Sequence, residues 1–282
     1  MPRALVLTTA SKANTTGGTF ADSLTANSGD SLSVANYGTG GARIIEAWGI
    51  DSDSVAELQL IYTRPESTHD QSHGLRVQIP SITPGGAGLV AAHNLLPGYV
   101  YVDVFKSDTP TVQVTSTAGD DVVLSFNTLY DDLPGAAAQL TDWNTILGMK
   151  KSVVGISVAA QASGTAGLYG STRALNADDD RLHANTNYAI LGYSVRTQVT
   201  TISIKGPGWG GQRIGCPAGA LDLRSDTWFL DQSLKYGVPL IPWFNSNDKG
   251  NILLEVVDAE ASTTPNIDVM MVELSGQPGP TT

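Results

Sequence analysis

The sequence predicts an all-β protein: two tandem antiparallel β-sandwiches related by an internal duplication, with a short linker helix between them. Three observations predict it. Short runs alternate apolar and polar residues, with Pro, Gly, Asn and Asp clusters between them. Helical periodicity is confined to one segment near the middle of the chain. The second half repeats motifs of the first in the same order. The expected boundaries are 1–135 for the N-terminal sandwich, 136–151 for the linker helix and 152–282 for the C-terminal sandwich.

The first 40 or so residues are rich in Ser, Thr, Asn, Ala and Gly, with turn signals at Asn14–Gly18, Asn27–Asp30 and Gly38–Gly41. Met1 to Gly41 reads as a polar N-terminal arm that orders on assembly. Strand-like runs follow at Ala42–Trp48, Ala56–Tyr62, Leu75–Ile79, Tyr99–Phe105, Thr111–Thr115 and Asp121–Phe126. Period-2 alternation there fits half-buried strands. The segment Pro134–Lys151 has few β-branched residues. Its Leu140, Trp143 and Leu147 share one face of a helix. Strands resume at Ser152–Val158, Tyr188–Val195, Val199–Ile204, Asn251–Val257 and Ile267–Leu274.

The repeat is read from ordered matches. Val55-x-x-Leu58-x-Leu60 corresponds to Val199-x-x-Ile202-x-Ile204, and each precedes a proline, Pro65 or Pro207. Gly74-Leu-Arg76-Val77-x-x-Pro80 corresponds to Gly211-Gln-Arg213-Ile214-x-x-Pro217. Asp30-Ser-Leu32 corresponds to Asp180-Arg-Leu182, Ile45–Trp48 to Ile190–Tyr193, and Val122–Phe126 to Ile267–Met271. Units of this size can each hold a core. About eight short strands per half, with almost no helix, suit an eight-stranded jelly roll with Greek-key connections. No Cys…Trp…Cys spacing supports an immunoglobulin-like sandwich.

Composition excludes several classes. The chain has 282 residues and a net charge of −11, from 16 basic and 27 acidic residues. Without a basic tail, that balance argues against a dedicated, sequence-specific nucleic-acid binder. No run approaches the 18 or so apolar residues of a membrane span. The apolar run Ala4–Leu7 is too short for a signal peptide. One cysteine, Cys216, makes no internal disulfide and reads as a buried, inert thiol.

Candidate site residues are few. His69 and His73 have i, i+4 spacing but lie in a polar loop. Asp178, Asp179 and Asp180 form the densest acidic cluster. They are a weak calcium candidate set against a solvated turn. Asp120–Asp121 and Asp131–Asp132 read as turns. Glu57, Glu255 and Glu273 read as outward strand positions, with no pair set apart for glycosidase chemistry. No nucleophile elbow or P-loop appears; Gly206–Gly211 reads as a loop where glycine permits positive φ. Trp209, Trp228 and Trp243 are the candidate interface or ligand-facing aromatics. Trp228–Phe229 and Trp243–Phe244, if extended, would send one ring to the core and one outward. No catalytic set, metal site or cofactor is expected, so the chain reads as a non-enzyme.

Two similar sandwiches joined near a short helix resemble the double jelly-roll major capsid proteins of icosahedral viruses. The resemblance covers nearly the whole chain and is architectural, without a diagnostic motif. It implies two upright sandwiches side by side and three chains in a pseudo-hexameric capsomer that tiles a shell, with no catalytic residues to carry over. The expected function is therefore a structural virion coat protein, made in the host cytoplasm without a signal peptide. Its expected partners are itself, as a homotrimer and through neighbouring capsomers, and minor virion proteins. Loops poor in charge suit such packing. A phage-head decoration or fibre protein and a carbohydrate-binding β-sandwich module are the alternatives.

Overall fold

The computed structural model describes residues 3–52, 56–61, 75–79, 96, 101–106, 108–134, 139–195, 199–218, 225–258 and 262–279. His69, His73 and His93 lie outside them. The chain is all-β, and its described residues form four antiparallel sheets.

In the first half, β1 (Ala4–Lys12), β2 (Gly18–Ser23), β3 (Thr25–Ala26), β4 (Ala42–Asp51), β5 (Ala56–Ile61), β6 (Leu75–Ile79), β7 (Val102–Val104), β8 (Thr111–Ser116) and β9 (Val122–Tyr130) form two sheets. Their orders are β3-β1-β9-β4-β7 and β2-β8-β5-β6. The second half contains β10 (Leu140–Thr141), α1 (Trp143–Met149), β11 (Lys150–Ala159), β12 (Arg173–Ala174), β13 (Asn187–Val195), β14 (Thr201–Lys205), β15 (Arg213–Pro217), α2 (Trp228–Tyr236), β16 (Ile241–Asn245), β17 (Leu253–Val257) and β18 (Asn266–Leu274). Its sheets run β10-β16-β13-β18-β11 and β12-β17-β14-β15.

Set aside the two-residue strands β3 and β10, and number the rest of each half one to eight in chain order. Both halves then have one sheet ordered 1-8-3-6 and one ordered 2-7-4-5. Both third strands also carry a bulge against the eighth, at Ile44/Glu46 and at Ile190/Gly192. An extra residue there bends the strand and raises its twist. The motif on the fifth strands, β6 and β15, is shifted: Leu75 pairs with Leu60, while Ile214 pairs with Ile204. By ladder register Leu75, not Val77, therefore stands where Ile214 stands. The shift is two residues, so the same faces stay inward.

One apolar cluster fills the first sandwich, with Leu58, Val112, Val114 and Phe126 among its members. A second cluster fills the C-terminal sandwich and takes in Leu5, Leu7, Ile45, Trp48 and Leu129 from the first half. The two sandwiches therefore share a buried seam. The outward face of β1, β9 and β4 lies against the outward face of β14 and β15. Leu7 meets Gly215 so closely that a Cβ there would stand 2.5 Å from Leu7 Cδ2.

Two expectations change. The N-terminal segment is not an arm, because β1 is an inner strand paired with both β3 and β9. It is covered by the sandwich core on one side and by the seam on the other, so Ala4–Lys12 shows little alternation in burial. The linker helix is only Trp143–Met149. Asp142 caps it, accepting from the Thr145 amide at 2.9 Å, while Leu140 and Thr141 pair with Pro242 and Ile241. Its buried residue is Ile146; Leu147 is 52% exposed.

Candidate functional site

The densest polar chemistry among the described residues lies along the seam. Arg213 opens β15 opposite Lys205 of β14, and Glu255 of β17 lies across from Ser203. This ladder sets both cations beside one carboxylate. Arg213 Nε donates to Glu255 Oε2 at 2.7 Å, and Lys205 Nζ donates to Oε1 at 2.8 Å. Burial pushes the Glu255 carboxyl up, but these two cations outweigh it and hold it below its ordinary value.

Arg213 also crosses the seam. Its Nη1 donates to Asp30 Oδ1 at 2.8 Å and to the Ser28 carbonyl at 3.2 Å. Its guanidinium lies 4.0 Å from the Tyr169 ring centroid, within cation–π range. Asp30 Oδ2 accepts from the Thr9 amide and from the Tyr169 hydroxyl, both at 2.8 Å. Burial lifts Asp30 above the usual carboxylate range despite these donors. Burial, then the Asp30 charge, raises the Tyr169 phenol well above its ordinary value.

From Asp30 a file of hydroxyls runs along the seam. Tyr169 is 3.0 Å from Thr9 Oγ1, Thr9 is 2.9 Å from Ser125 Oγ, and Ser125 is 2.8 Å from Thr201 Oγ1. The Trp48 indole donates to Thr201 Oγ1 at 2.9 Å. The Tyr169 hydroxyl donates towards both Asp30 Oδ2 and Thr9 Oγ1, while in the Thr9–Ser125 and Ser125–Thr201 pairs either hydroxyl can be the donor. Asn127 Nδ2 adds a bond to the Gly215 carbonyl at 3.0 Å.

A second clasp closes the other side. Lys235 Nζ donates to the buried Glu46 at 2.7 Å, and the Tyr236 hydroxyl donates to the Ile45 carbonyl at 2.6 Å. Burial lifts Glu46 against the pull of Lys235 and Tyr236. Trp228 stands edge-on to Trp48, with ring centroids 5.9 Å apart. A cleft of about 390 Å³, lined in part by Thr8, Asp30, Ser33, Tyr130 and Arg213, opens beside the ionic end of the seam.

The candidate aromatics do not face solvent. Trp209, Trp228 and Trp243 are all buried in the second core. Trp228 and Phe229 sit in α2, where the helical turn brings both inward, and not in an extended pair. Gly237 at φ 64° ends this helix, and with Lys235 in the last turn it is the sequence signal for it. Trp243 and Phe244 are both covered within β16.

The aspartates do not form a shared cation site. Asp178 pairs with Arg173 and accepts from the Ala159 amide at 2.9 Å. Asp179 pairs with Arg181, and Asp180 with Lys249. The hydrogen bond from its arginine is the main cause holding each of Asp178 and Asp179 below the usual range. Among the described residues no group of three or more His, Cys, Asp or Glu side chains is placed to hold a metal ion.

Glu255 and Glu273 are buried; Glu255 stands on the outward strand face, as expected, but the seam covers that face. Glu273 accepts from Ser152 Oγ at 2.9 Å. Glu57 is partly exposed. Asp132 holds the Gly38–Gly41 turn through the Thr39 and Gly40 amides, and Gly210 and Gly211 take positive φ as expected. Cys216 is buried. No described helix is long and apolar enough to cross a membrane.

No protein-family model matches the chain, and no curated protein matches it. Among solved structures it is weakly similar to the PBSX exported protein XepA, at 10% identity over 96% of this chain and 86% of that one, with a TM-score of 0.21. It is also weakly similar to the infectious bursal disease virus VP2 subviral particle, at 13% identity over 100% of this chain and 74% of that one, with a TM-score of 0.18. Likenesses this slight carry no argument about function.

Proposed function

We propose that this chain is a structural virion protein. In this reading it is a coat subunit of two jelly rolls descended from one duplicated unit. It assembles as trimers with a near-hexagonal outline into a closed shell. One observation carries the reading: the strand orders 1-8-3-6 and 2-7-4-5 occur in both halves. Those orders are the two Greek keys of an eight-stranded jelly roll. The bulge shared by the two third strands adds support for duplication.

The seam fits a scaffold role. Its charges are balanced within the seam and Tyr169, Thr9, Ser125 and Thr201 bond one another, so it welds the two sandwiches into a unit with defined geometry. A lattice subunit needs that rigidity. Burial of all three candidate tryptophans weighs against sugar stacking on them. The reading assigns the chain no catalytic step.

Mass photometry and negative-stain electron microscopy across protein concentration and salt test it. Trimers, hexagonal patches or shells are expected. A monomer at every condition overturns the coat reading, and binding only to preformed phage heads replaces it with a decoration role.

A further inference from the structure

The cleft at the ionic end of the seam is walled by both sandwiches. Ser31, Tyr130, Leu133 and Pro134 come from the first, and Gln212 and Arg213 from the second. Its volume of about 390 Å³ stands at the small end of ligand pockets, which run roughly 300–1,000 Å³. That suits a small molecule or the end of a chain, not a folded partner. An extended peptide has no strand edge to join there. Behind the cleft β1 is closed, because Asp30 takes the Thr9 amide and Leu7 is 1% exposed.

Charge narrows the ligand class. Arg213 and Lys205 are cations, Asp30 and Glu255 are anions, and all are joined in direct ion pairs. The group is neutral as a whole, so neither a phosphate nor a free cation finds an uncompensated charge. Both Asp30 oxygens are already used, Oδ1 by Arg213 and Oδ2 by the Thr9 amide and the Tyr169 hydroxyl. Arg213 bonds through Nε and Nη1, while its Nη2 donates to none of the described residues. Nη2 lies at the wall: a Cβ on Gly29, which also lines the cleft, would stand 3.4 Å from it. The Tyr130 hydroxyl accepts from the Ala35 amide at 3.3 Å, and the Ser31 hydroxyl from the Ser33 amide at 3.0 Å. Neither hydroxyl donates to a described residue, so each keeps a proton to give. The exposed Gln212 side chain adds an amide donor and acceptor. Val6, Leu133 and Pro134 supply apolar surface beside these groups.

We propose that this cleft binds a single neutral sugar residue. A sugar ring carries hydroxyls that both donate and accept, together with an apolar face of C–H groups. Those needs match Nη2 of Arg213, the Tyr130 and Ser31 hydroxyls and the Gln212 amide, set beside an apolar wall. The candidate tryptophans are buried, so the C–H face of the ring rests on Val6, Leu133 and Pro134 instead. Because both sandwiches contribute groups, the seam fixes their spacing. The site is complete in one chain and stands apart from the coat reading.

Saturation-transfer NMR and thermal melts on the full chain test it. The neutral probes are glucose, galactose, mannose and N-acetylglucosamine, each as the free sugar and as its methyl glycoside; sialic acid and glucosamine are the charged ones. At least one neutral probe is expected to show saturation transfer and to raise Tm, as a ligand of the folded state does. Binding of a methyl glycoside marks a chain-linked residue as the ligand, and binding of free sugars alone marks a small metabolite; both support the cleft. Tyr130→Phe and Gln212→Ala are each expected to weaken binding by roughly two- to ten-fold, the range for one lost hydrogen bond. Ser31→Trp, which fills the mouth from an exposed position, is expected to abolish it. Melts without ligand check that each variant is folded. A wild type that binds no neutral probe, a preference for the charged probes, or binding that tolerates all three variants overturns the proposal.

Discussion

Asp30 and Asp180 open similar motifs, Asp30-Ser-Leu32 and Asp180-Arg-Leu182, yet the fold gives them opposite weights. Substituting each by alanine separates those weights. Asp30→Ala removes the acceptor for the Thr9 amide, the Tyr169 hydroxyl and Arg213, all at 2.8 Å, from a side chain only 2% exposed. Arg213 keeps Glu255 but loses its partner across the seam. Breaking a buried pair in this way costs about 3–5 kcal/mol, mostly from the charge and donors left behind. Asp180→Ala removes a pair with Lys249 whose carboxylate is 44% exposed. Such pairs are worth about 0–1 kcal/mol. At about 2–4 °C per kcal/mol for a chain of this size, Asp30→Ala should lower Tm by roughly 6–20 °C and Asp180→Ala by at most about 4 °C. Trp48 on the hydroxyl file is one of five tryptophans, so tryptophan fluorescence during thermal unfolding reads the Tm of the whole chain. Equal shifts for the two variants would refute the claim that the seam, and not the repeat position, sets the energy.

Four further predictions concern single positions. Gly215→Ala places a Cβ 2.5 Å from Leu7 Cδ2 and 2.7 Å from the Ile202 carbonyl oxygen, and should cost about 1–3 kcal/mol in denaturant titration. Gly155→Ala meets nothing within 4 Å and should stay within about 0.5 kcal/mol of wild type. Glu255 has a folded pKa held below its ordinary value of 4.5, so its contribution is complete above that pH and is lost as pH falls through the folded value. Stability measured from pH 6 down to pH 3 should therefore fall less steeply in Glu255→Gln than in wild type; parallel curves would remove Glu255 from the acid response. Cys216 is fully buried and its thiol is pushed far up by burial, so a thiol-specific reagent should react with it only on unfolding. Rapid labelling of the native chain would contradict that burial.

Strand positions were legible because a half-buried strand must alternate and a turn must spend Gly, Pro, Asn or Asp. The runs at Leu75–Ile79, Tyr188–Val195 and Ile267–Leu274 fall where β6, β13 and β18 form. Helix positions were less legible. Pro134–Lys151 has helical composition, but capping by Asp142 and pairing of Leu140 and Thr141 with β16 leave only seven residues to the helix. Trp228–Phe229 looked like strand because adjacent aromatics are common there, while the Gly237 stop signal lay nine residues away.

The sequence by itself determined the all-β class, the order of its strand signals and the repeated motifs, because these follow from local periodicity and backbone preference. It also placed Asp30 with Asp180 and Arg76 with Arg213. Only the tertiary structure decided which member of each pair is buried. Burial depends on which sheet face meets which, and sequence spacing carries no record of that. Packing the second sandwich on the first converted a polar strand, Thr8-Thr-Ala-Ser11, into an interior one and turned Thr9, Ser125 and Thr201 into a hydrogen-bonded file.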